Sequence, residues 1–523
     1  MRVSRRAFLQ LSSAAALASR STRIFAARTD SANADLCRKL ASDPLRPQYH
    51  LMPAHNWMND PNGPIFYRGR YHMFHQYNPQ AAVWGNMNWA HATSPDLIHW
   101  QHEPIAISPT PDGYDRDGVF SGSAVLDDGK PVMIYTGVLP PTNDAEATLR
   151  DGVHTWREVQ CLAIAADDDL RTFKKYPQPI IATPPAGLPV TGFRDPYVWR
   201  EGGNWMLIVG SGFYNHGGAI LLYSSSDLRQ WTYLHPLVQG HGNGEKGANP
   251  VDTGEMWECP DFFQLGDKHV LLISTMGLVR WKVGTYANHI FRPEREGVVD
   301  WGAYYAAKTM LDKDGNRILW GWIPEKRPDA DLIAAGWAGA MSLPRIMSLS
   351  ANDDLQTDVA PAARMLRGKH VGLNPQDSAS THAKILDTLP LQDLAGEFQF
   401  EIRPKGAECT LRLQANSGAN SGNDPAFATI TILNKSESRE IRVNDVTAPL
   451  AGRPGSPVRL HMFLDGSVLE LFANKTTALT ARLYKISAAP LRLTLEGDAE
   501  LTSFDMWQMK PISKDRLTGS LCP

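Results

Sequence analysis

Three carboxylates, Asp60, Asp195 and Glu258, each open a stretch that runs about eight or nine residues to a glycine turn and then into an apolar run. The stretches are NDPNGPIFYRG from Asn59, RDPYVWREGG from Arg194 and ECPDFFQLG from Glu258; YHMFHQY from Tyr71, NWMLIVG from Asn204 and KHVLLIS from Lys268 follow them. Strand-like runs on both sides of a glycine turn predict β-hairpins. Two further copies run from Ser121 through Gly129 to PVMIYTG and from Tyr304 through Gly315 to NRILWGW, making five. Their second strands begin near Tyr71, Val132, Trp205, Val270 and Arg317, at intervals of roughly 50 to 75 residues. That spacing suits propeller blades with long loops. A downstream echo (TSPDLIHW from Thr93, AADDDLRTF from Ala165, SSSDLRQW from Ser224, VGTYANHIF from Val283) reads as a third strand ending in a turn and an aromatic. The expected fold is all-β, with a five-bladed β-propeller over residues 46–350.

In a propeller the innermost strand of every blade lines the central channel, so equivalent positions ring one opening. Asp60, Asp195 and Glu258, read in one register, are expected to converge there. Turn chemistry alone would also favour Asp-Pro and Asn-Gly, but it does not explain a carboxylate at the start of an inner strand three times over. Charges packed near an axis cost desolvation unless they are used or paired, and Arg194 is the expected partner of Asp195.

A chain of 523 residues, 43% of them hydrophobic, is long enough for a second core. The polar, Ala-rich text ANDDLQTDVAPAARMLRG over residues 351–372 reads as a helical connector. Beyond it, alternating Phe398, Phe400 and Ile402, alternating Leu411 and Leu413, and MFLDGSVLELF about an Asp465-Gly466 turn predict a β-sandwich over residues 373–512. The SGANSGND loop from Ser417 reads as an exposed connection. No titratable cluster stands out in this half, which assigns the chemistry to the propeller.

A net charge of −3 gives no basic footprint for nucleic acid. Beyond the N-terminus no apolar run reaches the roughly eighteen residues that a membrane helix needs. SRRAFLQL, with Arg5 and Arg6 ahead of an Ala-rich run, resembles a bacterial twin-arginine export signal over residues 1–34. The mature chain is then expected in the periplasm or outside the cell, free of the membrane. The five cysteines are scattered, without metal-site spacing. Cys161 and Cys409 read as buried strand residues, and an oxidising compartment would permit a Cys37–Cys522 bridge.

The motifs NWMNDPNG (from Asn56), FHQYNP (from Phe74), VWGNMNWAHATSPDLIHW (from Val83), FSGSA (from Phe120), FRDP (from Phe193), MWECPD (from Met256) and GWAGAMSLPR (from Gly336) resemble those of glycoside hydrolase family 32, the invertases, inulinases and levanases that act on β-fructofuranosides. The ordered set spans essentially the whole mature chain. NWMNDPNG and WECPD look most like plant acid invertases and fructan exohydrolases. The family's propeller and sandwich agree with the architecture read from the repeats.

Carried over residue by residue, the resemblance implies that Asp60 is the nucleophile, Glu258 the acid/base and Asp195 a transition-state stabiliser, with Arg194 orienting Asp195 or the sugar. It also implies that Asn59, Gln76, Trp84, Phe120 and Ser121 line the pocket for a terminal fructosyl unit of sucrose or a fructan, with Trp57 and Trp337 adding to its wall. Retention needs two carboxyls about 5 to 5.5 Å apart. An apolar setting for Glu258, between Trp257 and Cys259 and beside anionic Asp60, would favour the protonated form that a general acid requires. His91 reads as structural, because two carboxylates fill the acid and base roles. No metal or cofactor is called for. Fructosyl transfer, an inverting arabinanase-type propeller and a non-catalytic sugar-binding propeller are the alternatives; inulin and levan preference and oligomeric state are left open.

Overall fold

The computed structural model describes residues 34–245, 247–374, 376, 378–416, 426–485 and 490–518. The expected export signal, apart from its last residue, the loop from Ser417 and Cys522 lie outside them. Cys37 is disulfide-bonded, whereas Cys161, Cys259 and Cys409 are free and buried.

Five antiparallel sheets occupy residues 56–107, 118–175, 190–239, 258–300 and 305–359. The inner strands are Asn56–Tyr67, Gly118–Asp127, Val190–Glu201, Glu258–Leu265 and Tyr305–Leu311. Each turns into its second strand at a glycine in the left-handed region, Gly69, Gly129, Gly202, Gly266 and Gly315, with φ between 59° and 81°. Side chains there would be strained, which is why the same glycine recurs five times.

Second strands are apolar almost throughout because both of their faces are covered. Val132 and Ile134 pack on the third blade, while Met133 and Tyr135 face the first. Leu207 and Val209 in turn pack back on the second blade, and Met206 and Ile208 on the fourth. Comparable seams join the fourth blade to the fifth and the fifth to the first. The ring is fastened where the chain, after the helix Asp329–Ala335, returns so that Asn56 and Trp57 pair in parallel with Trp337 and Ala338.

The expected connector at 351–372 is not a helix. It holds the outer strand of the fifth blade, Leu355–Val359, a 3-10 turn, Pro361–Leu366, and the first strand of the C-terminal unit, Arg367–Gly372. Leu355, Thr357 and Val359 are buried at every second position, an alternation hidden among polar residues. The C-terminal unit is a nine-stranded sheet folded over one core, a β-sandwich built on the paired long strands Ala395–Ala415 and Leu491–Met509.

Contrary to the expectation, this unit does carry a titratable cluster, at its face toward the propeller. Arg345 of the fifth blade donates to Asp300 at 2.9 Å and to Glu470 of the sandwich at 2.5 and 3.0 Å, with all three side chains buried. His50 bridges Asp465 at 2.8 Å and Glu470 at 3.0 Å. Burial opposes its charge, but the two carboxylates outweigh burial and push it up to about 9. Arg345 lies 45 residues from Asp300 and 125 from Glu470, and His50 lies 415 and 420 residues from its two acids, so the cluster leaves no local signature.

Candidate active site

The inner strands begin with a bulge, and the bulge sets which side chains reach the channel. Register breaks lie between Arg194 and Tyr197, Glu258 and Asp261, and Tyr305 and Lys308. The residue after each first position, Asp195, Cys259 and Ala306, has φ of 65°, 48° and 54°. Glu258 therefore corresponds to Arg194 and Tyr305, and Asp195 corresponds to Cys259. The single register expected for the three acids is corrected by one residue: the prolines align, in Asp60-Pro61, Asp195-Pro196 and Cys259-Pro260, and Glu258 stands one place earlier. A bulge re-aims consecutive side chains, so both positions face the channel.

Asp60, Asp195 and Glu258 line one cavity of about 270 Å³. Ser121 Oγ donates to Asp60 Oδ2 at 2.6 Å and Asn59 Nδ2 to Oδ1 at 3.0 Å. Cys259 lies between two of the acids, its thiol 3.4 Å from Asp60 Oδ2 and 3.5 Å from Asp195 Oδ2, and its backbone N–H donates to Asp195 at 2.9 Å. Burial raises the Asp60 carboxyl, offset in part by Ser121, and nearby Glu258 raises it further. Asp195, almost fully buried, is pushed up to about 7 by burial, with Arg194 opposing and the other two acids adding. Beyond burial, the like charges that share the cavity are what push Asp60 and Asp195 upward.

Arg194 is not the partner of Asp195. Its Nε and Nη2 donate to Glu258 Oε1 at 3.1 and 2.8 Å, and Nη1 donates to Glu158 Oε1 at 3.0 Å. The Tyr305 hydroxyl donates to Glu258 Oε2 at 2.8 Å. The setting of Glu258 is thus polar, not apolar as expected. Trp257 points the other way, into a seat formed by Gly218 and Gly240, where a Cβ at Gly218 would lie 2.1 Å from the indole.

The structure places Asn59, Gln76, Trp84, Phe120, Ser121 and Arg194 on the cavity wall. Trp84 is 42% exposed and packs with Phe120, Trp156 and His154 into an aromatic rim. Trp57 and Trp337 do not reach the cavity. Trp57 is buried against Trp322 and donates to Asn59 Oδ1 at 2.8 Å, so it steadies a wall residue from behind. Trp337 is fully buried, bonded to Asp43 at 2.7 Å, with the Arg327 guanidinium over its ring. A tryptophan in a motif does not say which way it faces. His91 is buried between Phe74 and His72 and is held well below the usual histidine range, chiefly by burial.

Sequence reasoning missed Tyr305, Trp322, Trp156, His154, Asp151 and Asn249, all of which line the cavity. Tyr305 was within reach: it opens the fifth inner strand at the register of Glu258. Asn249 and Val251 come from the connection between the third and fourth blades. Trp156 and His154 sit on a short hairpin of the second blade, Leu149–Arg150 against Thr155–Ala165, which has no counterpart in the repeats.

Residues 50–358 match the family model described as the glycosyl hydrolases family 32 N-terminal domain, and residues 366–508 match the family 32 C-terminal model. The chain is 32% identical to a sucrose-6-phosphate hydrolase of Zymomonas mobilis, over 93% of this chain and 96% of that protein. It is 31% identical to an acid beta-fructofuranosidase of Vicia faba, over 89% and 81%. Among solved structures, fructan 1-exohydrolase IIa of Cichorium intybus in complex with 1-kestose superposes with a TM-score of 0.74 at 26% identity, covering 90% of this chain and 98% of that one. A beta-fructofuranosidase of Bombyx mori in complex with sucrose gives 0.70 at 25%, covering 93% and 98%. With both family models matched in order and both β-units in place, the chain belongs to glycoside hydrolase family 32.

Proposed function

We propose that this glycoside hydrolase releases terminal β-fructofuranosyl units from sucrose or short fructans by double displacement. The observation that carries the reading is the pairing of Asp60, held by Ser121 and Asn59 with no cation on it among the described residues, with Glu258, held by Arg194 and Tyr305, across one cavity. In the first step an Asp60 oxygen attacks the anomeric carbon. The bond to the leaving oxygen breaks, and Glu258 gives that oxygen its proton. In the second step water attacks the fructosyl ester, Glu258 takes the water's proton, and the ester bond breaks to restore Asp60. Asp195, as the carboxylate, bonds the sugar hydroxyls and favours the developing positive charge.

The leaving side of the pocket favours a neutral sugar. Among the described residues the cavity presents Asp60, Asp151, Asp195 and Glu258 against Arg194 and His154. Arg194 is engaged by two carboxylates, and His154 Nδ1 sits 3.0 Å from Asp151. A phosphate dianion would meet the carboxylates of the cavity and find the Arg194 guanidinium already taken. Product analysis of the purified protein on sucrose, sucrose 6-phosphate, inulin and levan tests this. Fructose release from sucrose with kcat/KM at least about tenfold above that on the phosphorylated sugar is expected; a preference for the phosphate would reverse the substrate reading, and oligosaccharides at high sucrose would measure transfer.

We also place the enzyme outside the cytoplasm, on the Arg5-Arg6 pattern of SRRAFLQL. Activity in the periplasmic or culture fraction that disappears when both arginines become lysine is the expected result, and unchanged export of that variant contradicts it.

A further inference from the structure

Arg194 touches two carboxylates that sit on different blades, and only one of them faces the cavity. Glu158, in the third strand of the second blade, is fully buried. Its Oε1 accepts from Arg194 Nη1 at 3.0 Å, and its Oε2 accepts from the Phe193 N–H at 2.6 Å and the Thr148 hydroxyl at 3.1 Å. The Thr148 hydroxyl oxygen accepts in return from the Glu158 N–H at 2.9 Å. A line of contacts thus crosses three blades, from Thr148 and Glu158 through Arg194 to Glu258.

We propose that Glu158 is a positioning residue for Glu258 and acts through Arg194, fixing the guanidinium plane and taking a share of its charge. The proposal rests on the reading of Glu258 as the proton donor. A guanidinium that donated to Glu258 alone would hold that carboxyl ionised and empty it of the proton the leaving oxygen needs. With Glu158 on its far side, the same guanidinium orients Glu258 through two N–H bonds while its charge is divided between two anions. The other groups facing Glu258 do not replace this effect. Tyr305 is a neutral donor, held well above the usual phenol range by burial and by Glu258 itself. Asp60, Asp195 and the Cys259 thiol lie on the channel side and are the same in parent and variant. No Lys or His is bonded to Arg194 or Glu258 among the described residues.

The test is the pH profile of kcat/KM on sucrose for the parent, Glu158→Gln and Glu158→Asp. Losing the negative charge behind Arg194 is expected to move the high-pH limb of Glu158→Gln down by about one unit, so that activity above the limb falls about tenfold while the low-pH plateau is largely kept. Glu158→Asp, which keeps the charge but draws it back, moves the limb the same way by roughly a third as much. A role in folding alone would lower the melting temperature and leave the limb where it was, and that result overturns the proposal; if Glu158→Gln does not fold, an unmoved limb in Glu158→Asp does so. Glu258→Gln is run alongside on sucrose and on an aryl β-fructofuranoside. Loss on sucrose with activity kept on the activated substrate supports the role of Glu258, so that an unmoved Glu158→Gln limb then counts against Glu158 alone. Parent-like turnover of sucrose by Glu258→Gln removes the donor and the proposal with it.

Discussion

Replacing Asp60 with Asn is expected to lower kcat/KM on sucrose by at least about 10⁴-fold while leaving the fold in place. The carboxylate is held for attack by Ser121 and Asn59 and carries no salt bridge among the described residues, so its loss removes the nucleophile without stranding a described buried cation. Asn has nearly the same volume, and its amide keeps an oxygen for the Ser121 hydroxyl. Burial and the nearby Glu258 charge already disfavour an anion at this position, and removing the charge relieves that cost. The melting temperature is therefore expected to stay within about 2 °C of the parent or to rise. Parallel assays and melts check both halves; turnover within about tenfold of the parent would remove Asp60 from the nucleophile role.

The largest effect on stability is expected at Arg345, far from the chemistry. Arg345→Met leaves Asp300 and Glu470 buried with their shared guanidinium gone, at a cost of roughly 3 to 5 kcal/mol. His50 remains on Glu470, and Thr480 remains on Asp300, but neither spans both acids. An apparent melting temperature lower by roughly 10 °C is expected. A melt within about 2 °C of the parent would show that this network does not hold the propeller to the sandwich.

Much of the fold was legible because a blade strand covered on both faces must be apolar at every position, as Val132 through Tyr135 and Met206 through Val209 are. The hairpin glycines carry a positive φ that few other residues tolerate. What sequence could not give was facing and partnership. Trp57 and Trp84 stand in similar motifs, yet one is buried behind Asn59 and the other forms the rim. Arg194 is adjacent to Asp195 in the chain, but the bulge turns consecutive side chains apart and sends the guanidinium to Glu158 and Glu258. Glu158 lies in a run, REVQCLAIA, that reads simply as a strand. The last propeller strand was read as helix because only Leu355, Thr357 and Val359 of its five residues are buried, one of them polar.

Methanolysis of sucrose by the purified enzyme tests the central claim most directly, because a methyl fructoside keeps the configuration in which it was formed. Attack by Asp60 followed by methanol in place of water inverts the anomeric carbon twice, so methyl β-D-fructofuranoside is the expected product, absent from the Asp60→Asn reaction. The α-anomer, or the β-anomer formed undiminished by the Asp60 variant, would contradict a double displacement through Asp60.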